Sequence, residues 1–286
     1  VLSQHQNIHK KKELIMNTNS CKNSVYFSLT PYLYAAPFEN SIIILDSKAD
    51  KYLSLIDDAA TFFRLILEQE FIMRSDGTYH PTTHKKSDTN NENNENSQNN
   101  DYNYWISYFI DRQFITHSTH TQPTQLKNPL QSGGLIGYRW DTKKQWSPFS
   151  VAPIIDVIKS YWILARVHRT IKKHGILGII KLIQNNTPRT NPLLPSSQQI
   201  EKLSASVDAA SLLYPKKTLC LAWAATLVIC ALRKNWKMHF VIGVQTNPFY
   251  AHAWAETDAG TVVNDDPLIA QALAVILQQP YHQEGC

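Results

Sequence analysis

Between Leu219 and Leu232 the chain is apolar at every position but one, Thr226. A helix that is apolar all round must be enclosed on every side, and this run falls short of the ~18 residues that cross a bilayer. The fold is therefore expected to form around one central buried helix. Pro215 stops whatever precedes it, and Thr218 is the expected N-cap, so Cys220 falls in the first turn.

A cysteine in that position is chemically distinctive. The unpaired backbone N–H groups and the positive end of the helix dipole favour thiolate over thiol, and the same groups can hold an oxyanion. Downstream, Val241 to Val244 and Ala251 to Ala255 read as two strands joined by a turn at Asn247-Pro248, which puts His252 on the second. A third short strand, Thr261 to Val263, leads into Asn264-Asp265-Asp266-Pro267. Antiparallel neighbours of this kind can bring His252 beside Asp265, where a carboxylate sets the imidazole tautomer and stabilises the imidazolium.

Each residue alone has an ordinary explanation. A single Cys in an apolar helix is commonly a small buried hydrophobe, and Cys230 fits that description, about 280° around the helix from Cys220. A strand His is commonly structural, and Asn-Asp-Asp-Pro commonly a turn. The ordered set Cys220, His252, Asp265 is what points to a nucleophilic thiol site.

The stretch from Thr218 to Pro267 resembles the transglutaminase-like (papain-type) domain of lasso-peptide maturation B proteins of the microcin type. The likeness is carried by Cys220-Leu221, Phe240 to Val244, Asn247 to Tyr250, His252-Ala253-Trp254 and Val263-Asn264-Asp265. It implies a cysteine peptidase with Cys220 as nucleophile, His252 as base and later acid, and Asp265 as orienting acid. Many members carry Arg where this chain has Trp223. The loop 257–260 is longer by one residue than in close relatives, which makes Asp266 a rival to Asp265.

The resemblance further implies an α+β chain of two domains. A winged-helix-like leader-recognition domain is expected over 24–118, with a disordered insertion about 75–102, and a linker over 119–149 precedes a peptidase domain over 150–286. In the N-terminal part Val25 to Leu29, Ser41 to Asp46 and Lys51 to Leu55 read as three strands, followed by a helix capped by Asp57 or Asp58. The tract 88–101 is Asn-rich and has almost no apolar side chains to build a core. An amphipathic helix resumes from Tyr104 to Phe114. In the family the leader adds as a strand beside the third strand and packs on the last helix, so Tyr52, Leu53, Leu55, Trp105, Tyr108 and Phe109 are the leader-binding candidates. The Pro- and Gly-containing linker leads to helices over 154–173, 176–184 and 196–213, with Gly175 ending the first.

By the same resemblance the substrate is a ribosomal lasso-peptide precursor, and the partner is an asparagine-synthetase-like cyclase that joins the freed amine to an acidic side chain. No cofactor is expected on this chain, which has no phosphate-binding loop; any ATP dependence of the microcin-type pathway is assigned to the cyclase. Acyl transfer to an amine and a non-catalytic leader-binding chaperone are the competing readings. A formal charge of +5 over 286 residues, with scattered Lys and Arg, does not call for nucleic acid. Four cysteines at irregular spacing suit neither a disulfide scaffold nor a zinc site, which suggests a reducing cytoplasm. Residues 1–23 are polar and read as a flexible extension, with Met16 a candidate start and no signal peptide expected.

Overall fold

The computed structural model describes residues 24–82, 92–118, 126, 152–188 and 191–280. The extension 1–23, residues 83–91 of the expected insertion and all but one residue of the expected linker lie outside them. In chain order the elements are β1 Ser24–Val25, β2 Phe27–Leu29, β3 Leu33–Pro37, β4 Ser41–Asp46, β5 Lys51–Ile56, α1 Asp57–Glu68, β6 Phe71–Met73 and β7 Tyr79–Pro81. Then follow α2 Glu92–Asp111, β8 Ile115–His117, α3 Ile154–Gln184, α4 Ser197–Leu213 and α5 Cys220–Arg233. The chain ends with β9 Met238–Gln245, β10 Tyr250–Thr257, α6 Ile269–Ala272 and β11 Ala274–Gln279.

These elements form two compact units, 1–30 with 62–125, and 31–61 with 126–286. The first carries a sheet of order β1-β6-β7, the pair β2-β8 and helix α2. Its core is aromatic: Phe27, Phe63, Phe71, Tyr102 and Phe109 are buried together with Ile106 and Ile115. Phe63 and Phe109 meet edge to face at 4.9 Å, a favoured arrangement of ring quadrupoles. Two expectations change here. Helix α2 begins at Glu92, well before Tyr104, and residues 75–82, assigned to a disordered insertion, form the turn and strand of the β6-β7 hairpin. The Asn-rich composition alone did not reveal that an aromatic C-terminal half, Tyr102 to Phe109, anchors the helix.

The second unit is built on α5, as the apolar run predicts. Eleven consecutive residues, Ala222 to Leu232, are buried. Ala253 and Ala255 of β10 and Phe240, Ile242 and Val244 of β9 enter the same core. Leu164 and Val167 of α3 and Leu203 and Val207 of α4 complete it. The sheet beside α5 has order β10-β9-β11, antiparallel throughout. The expected third strand over 261–263 is a single bridge between Glu256 and Val262; the full third strand is β11, signalled by the short apolar run Leu273 to Leu277.

The sheet β3-β4-β5 belongs to this second unit. The sequence reading groups the strands at 25–29, 41–46 and 51–55 in one N-terminal domain, but Ala36, Phe38, Ile43 and Leu45 share the core of α5. Alternation along a strand explains this: every second residue of β4 faces one way, and Ile43 and Leu45 find their apolar partners on the helical unit. The β4-β5 turn is closed by Asp46, whose Oδ1 accepts from the N–H of Lys48 and Ala49 at 2.9 and 2.8 Å. The next turn residues support α3. That helix is broken at Gly175 (φ 54°, ψ −147°), as the sequence predicts, and the N–H groups freed at its second start, Ile176 and Leu177, donate to Asp50 Oδ1 and Ser47 O.

Candidate active site

The first turn of α5 is not capped as expected. Its N-cap is Leu219, in an extended conformation and without a side-chain cap bond, while Thr218 is buried. The amide groups of the first turn are thus left without a hydroxyl competing for them. Cys220, half-buried, stands there. Burial alone raises its pKa, but a hydrogen bond to His252, the charge of that ring, and backbone N–H groups of Ala253 and Leu221 outweigh it and hold the thiol below its ordinary value. Position and partners act together on one sulfur.

His252 lies on β10 opposite Gly243 of β9. Its neighbours two residues away on the same strand face, Tyr250 and Trp254, stack on either side with ring centroids at 6.1 and 6.2 Å and planes within 11° and 13° of parallel. A Cβ at position 243 would come within 2.7 Å of the Trp254 ring, so glycine there makes room for this row of rings. The imidazole is 1% exposed, and desolvation works against its charged form. Hydrogen bonds with Asp265 and Cys220 and the charges of both outweigh that and raise its pKa to about 9.

Asp265 supplies the strongest of those contacts. Its Oδ2 lies 2.8 Å from His252 Nε2, a charge-assisted distance. With Nε2 engaged by the carboxylate, Nδ1 is the nitrogen left for the sulfur; the Tyr250 hydroxyl lies 3.5 Å from it. The loop that delivers Asp265 folds back along β10, where Val263 N–H donates to Ala255 O at 2.9 Å. Asn264 then takes a left-handed conformation (φ 55°), which turns the chain toward His252. Asp266 is used otherwise: its Oδ1 accepts from the Leu268 N–H at 2.9 Å, and its own N–H donates to Asp265 Oδ1. Of the two rival acids, Asp265 is the one beside the imidazole.

Cys230 sits apart from this cluster. It is buried against Ser160, with Oγ 3.7 Å from the sulfur, and burial pushes its thiol up to about 11. Two cysteines of one helix thus differ in opposite senses.

The six leader-binding candidates separate. Tyr52 pairs with Leu45 across β4-β5 and packs against the core of α5; burial, then the charges of Asp50 and Cys220, push its phenol up to about 12. The third-strand candidate Tyr52 thus lies within reach of the charge at Cys220. Its ring meets Phe249 at 5.3 Å. Leu53 is exposed on the opposite face of β5, whereas Leu55 is buried. Trp105 and Tyr108 are half-buried on α2, and Phe109 is fully enclosed. Leu55 and Phe109 are buried and offer a ligand little surface: Phe109 is enclosed by the aromatic core, and Leu55 shares its strand face with exposed Leu53, so its burial comes from packing at that end of β5 and not from alternation.

Sequence reasoning missed two further groups. Tyr250 flanks the imidazole, a placement that the spacing of two on a strand does signal. Asp208 of α4 is buried, and its Oδ1 accepts from the Trp223 indole N–H at 2.7 Å while Oδ2 accepts from Asn264 Nδ2 at 3.1 Å. No local pattern marks it. Among the described residues no cluster of three or more His, Cys, Asp or Glu side chains converges to hold a metal ion, and no helix is long and apolar enough to cross a membrane.

Residues 162–278 match the Transglutaminase-like superfamily. A stretch of 62 residues is 40% identical to the microcin J25-processing protein McjB of Escherichia coli. That stretch is 22% of this chain and 29% of the length of that relative. No solved structure matches the chain.

Proposed function

We propose that this chain is a cysteine peptidase that removes the leader from a ribosomally made lasso-peptide precursor. The observation that carries the reading is the arrangement of three side chains: Cys220 in the first turn of a helix, hydrogen-bonded to a buried His252 whose Nε2 lies 2.8 Å from the Asp265 carboxylate, contacts that lower the thiol and raise the imidazole. A thiolate–imidazolium pair of this kind is the resting form of a thiol nucleophile. The partial likeness to a microcin-processing protein directs that chemistry to a peptide precursor.

In this reading the Cys220 thiolate attacks the scissile carbonyl carbon. The oxyanion forms near the backbone N–H groups of the first turn of α5. His252 gives its Nδ1 proton to the departing amine, leaving the leader as a thioester on Cys220. A water molecule then gives one proton to Nδ1 as its oxygen attacks the thioester carbon; the intermediate collapses by breaking the C–S bond, which restores the Cys220 thiolate beside the imidazolium, and the leader acid loses its remaining proton to solvent and leaves as a carboxylate. Asp265 keeps Nε2–H engaged throughout and stabilises the imidazolium. The released core has a free N-terminal amine, the group that an asparagine-synthetase-like cyclase joins to an acidic side chain.

The leader reaches the site along β5 in this account. That strand is the edge of its sheet, with backbone groups available to an added strand. A cleft of about 490 Å³ beside it is lined by Tyr52, Leu53, Ile56, Asn247 and Phe249. Exposed Leu53, Ile56 and Phe249 suit apolar leader side chains, and Trp105 and Tyr108 are the candidates on α2. The test is incubation of the purified chain with a precursor peptide, followed by mass spectrometry. Cleavage to leader acid and core amine, absent in Cys220→Ala, is the expected result. Leader amide in the presence of an added amine would assign acyl transfer instead, and no turnover would leave a leader-binding role.

A further inference from the structure

Asp208 is a carboxylate in an apolar setting. It lies on α4 between Val207 and Ala209, both fully buried, and is itself only 6% exposed. Removing a charge from water this completely is costly unless hydrogen bonds replace the lost hydration. Among its partners are two neutral donors that arrive from different places: the Trp223 indole on α5 and the Asn264 side-chain amide. Trp223 is three residues after Cys220, one turn along the same helix. Asn264 directly precedes Asp265.

The backbone of Asn264 matters as much as its amide. Its φ of 55° lies in the left-handed region, which costs a non-glycine residue energy and which Asn tolerates better than most. Before it the chain is tied to β10 through Val263; after it, Asp265 is aimed at His252. The hydrogen bond from Asn264 Nδ2 to Asp208 is a tertiary contact that holds this reversal in place.

We propose that Asp208 is a positioning residue for the Cys220–His252–Asp265 site, clamping Asn264 so that Asp265 addresses His252 while anchoring, through Trp223, the helix that carries Cys220. The inference rests on those three residues acting together as proposed above. One buried carboxylate then sets the spacing between nucleophile and orienting acid, which come from separate elements. Losing the clamp lets Asp265 drift, weakens its support of the imidazolium and so returns the Cys220 thiol toward its ordinary value.

The experiment uses the full chain and three variants. Asp208→Asn keeps size and an oxygen for Trp223 but sets one amide donor against another at Asn264. Asn264→Gly keeps the left-handed backbone at no steric cost and removes only the amide. The double variant Asp208→Asn with Asn264→Asp reverses donor and acceptor and restores the bond. The first readout is the pH dependence of iodoacetamide modification of Cys220, followed by mass spectrometry, which needs no peptide substrate. The second is kcat and KM on precursor, with the thermal midpoint measured alongside.

The modification midpoint is expected to rise in both single variants, with kcat down by about tenfold, the equivalent of one lost hydrogen bond near a charge, and KM nearly unchanged. The exchanged pair is expected to return both toward the parent values. An unchanged modification profile in Asn264→Gly overturns the inference, and so does an exchanged pair that folds but recovers nothing. Because modification is read without substrate, a parent chain that fails to cleave any precursor ends the peptidase reading while leaving this test intact.

Discussion

Replacing Asp265 by Asn is the most informative single change, because Asp266 beside it serves as an internal control. The His252 ring is almost fully buried, which by itself disfavours the imidazolium, yet its pKa stands at about 9 rather than 6.5. That net displacement, reached against the burial of the ring, corresponds to on the order of 3 kcal/mol favouring the charged ring, and the contacts of Asp265 and Cys220 together supply at least that much. If Asp265 supplies half to all of it, Asp265→Asn lowers turnover by roughly 10- to 200-fold. The Asn side chain can also present its amide N–H to Nε2, which favours the wrong tautomer and adds to the loss. Asp266→Asn keeps an amide oxygen that can still accept from the Leu268 N–H, so it loses about 1 kcal/mol of local stability at most and should cost less than fivefold in rate. The pH profile carries the sign. A raised histidine contributes stability that is fully present below its unfolded value near 6.5 and is lost as pH rises through about 9; over the same range His252 loses the proton it gives to the departing amine, so the alkaline limb of activity should fall near pH 9 in the parent. In Asp265→Asn that limb should move toward neutrality. The assay is initial rate against pH, with the Cys220 modification rate as a substrate-free check. Equal losses in the two variants, or an alkaline limb unmoved in Asp265→Asn, would refute the assignment.

Cys220→Ala should abolish turnover with a thermal midpoint close to that of the parent, whereas Cys230→Ala should retain most activity; peptide mapping after brief iodoacetamide treatment should find Cys220 modified and Cys230, held up near 11, spared. Gly175→Ala would place a Cβ 2.8 Å from the Asp50 carboxyl carbon at a positive φ, so a loss of about 1–3 kcal/mol is expected, read as a lower urea midpoint; a midpoint equal to that of the parent would show that the break in α3 relaxes freely. A fragment starting near Ser147 keeps Cys220, His252 and Asp265 but lacks Ala36, Phe38, Ile43 and Leu45 from the same core. It should therefore unfold with a broad, weak transition by circular dichroism, and cooperative unfolding with full activity would show that β3, β4 and β5 are dispensable to the catalytic unit.

The buried helix, the cysteine in its first turn, the break at Gly175 and the strand bearing His252 were all legible in the sequence, because each follows from local rules. An unbroken apolar run has one solution, a positive-φ glycine ends a helix, and alternation fixes which strand residues share a face. Asp265 over Asp266 was legible only through motif order. Spacing cannot tell two adjacent acids apart, and the left-handed turn at Asn264 is what selects between them. The membership of β3, β4 and β5 was not legible at all, since a short strand with alternating apolar residues states that it needs a partner surface without saying which. Tyr52 near Cys220, and Asp208 between Trp223 and Asn264, belong to the same class. They bring together residues far apart in the chain, and only the packing of the helices and sheets on α5 decided them.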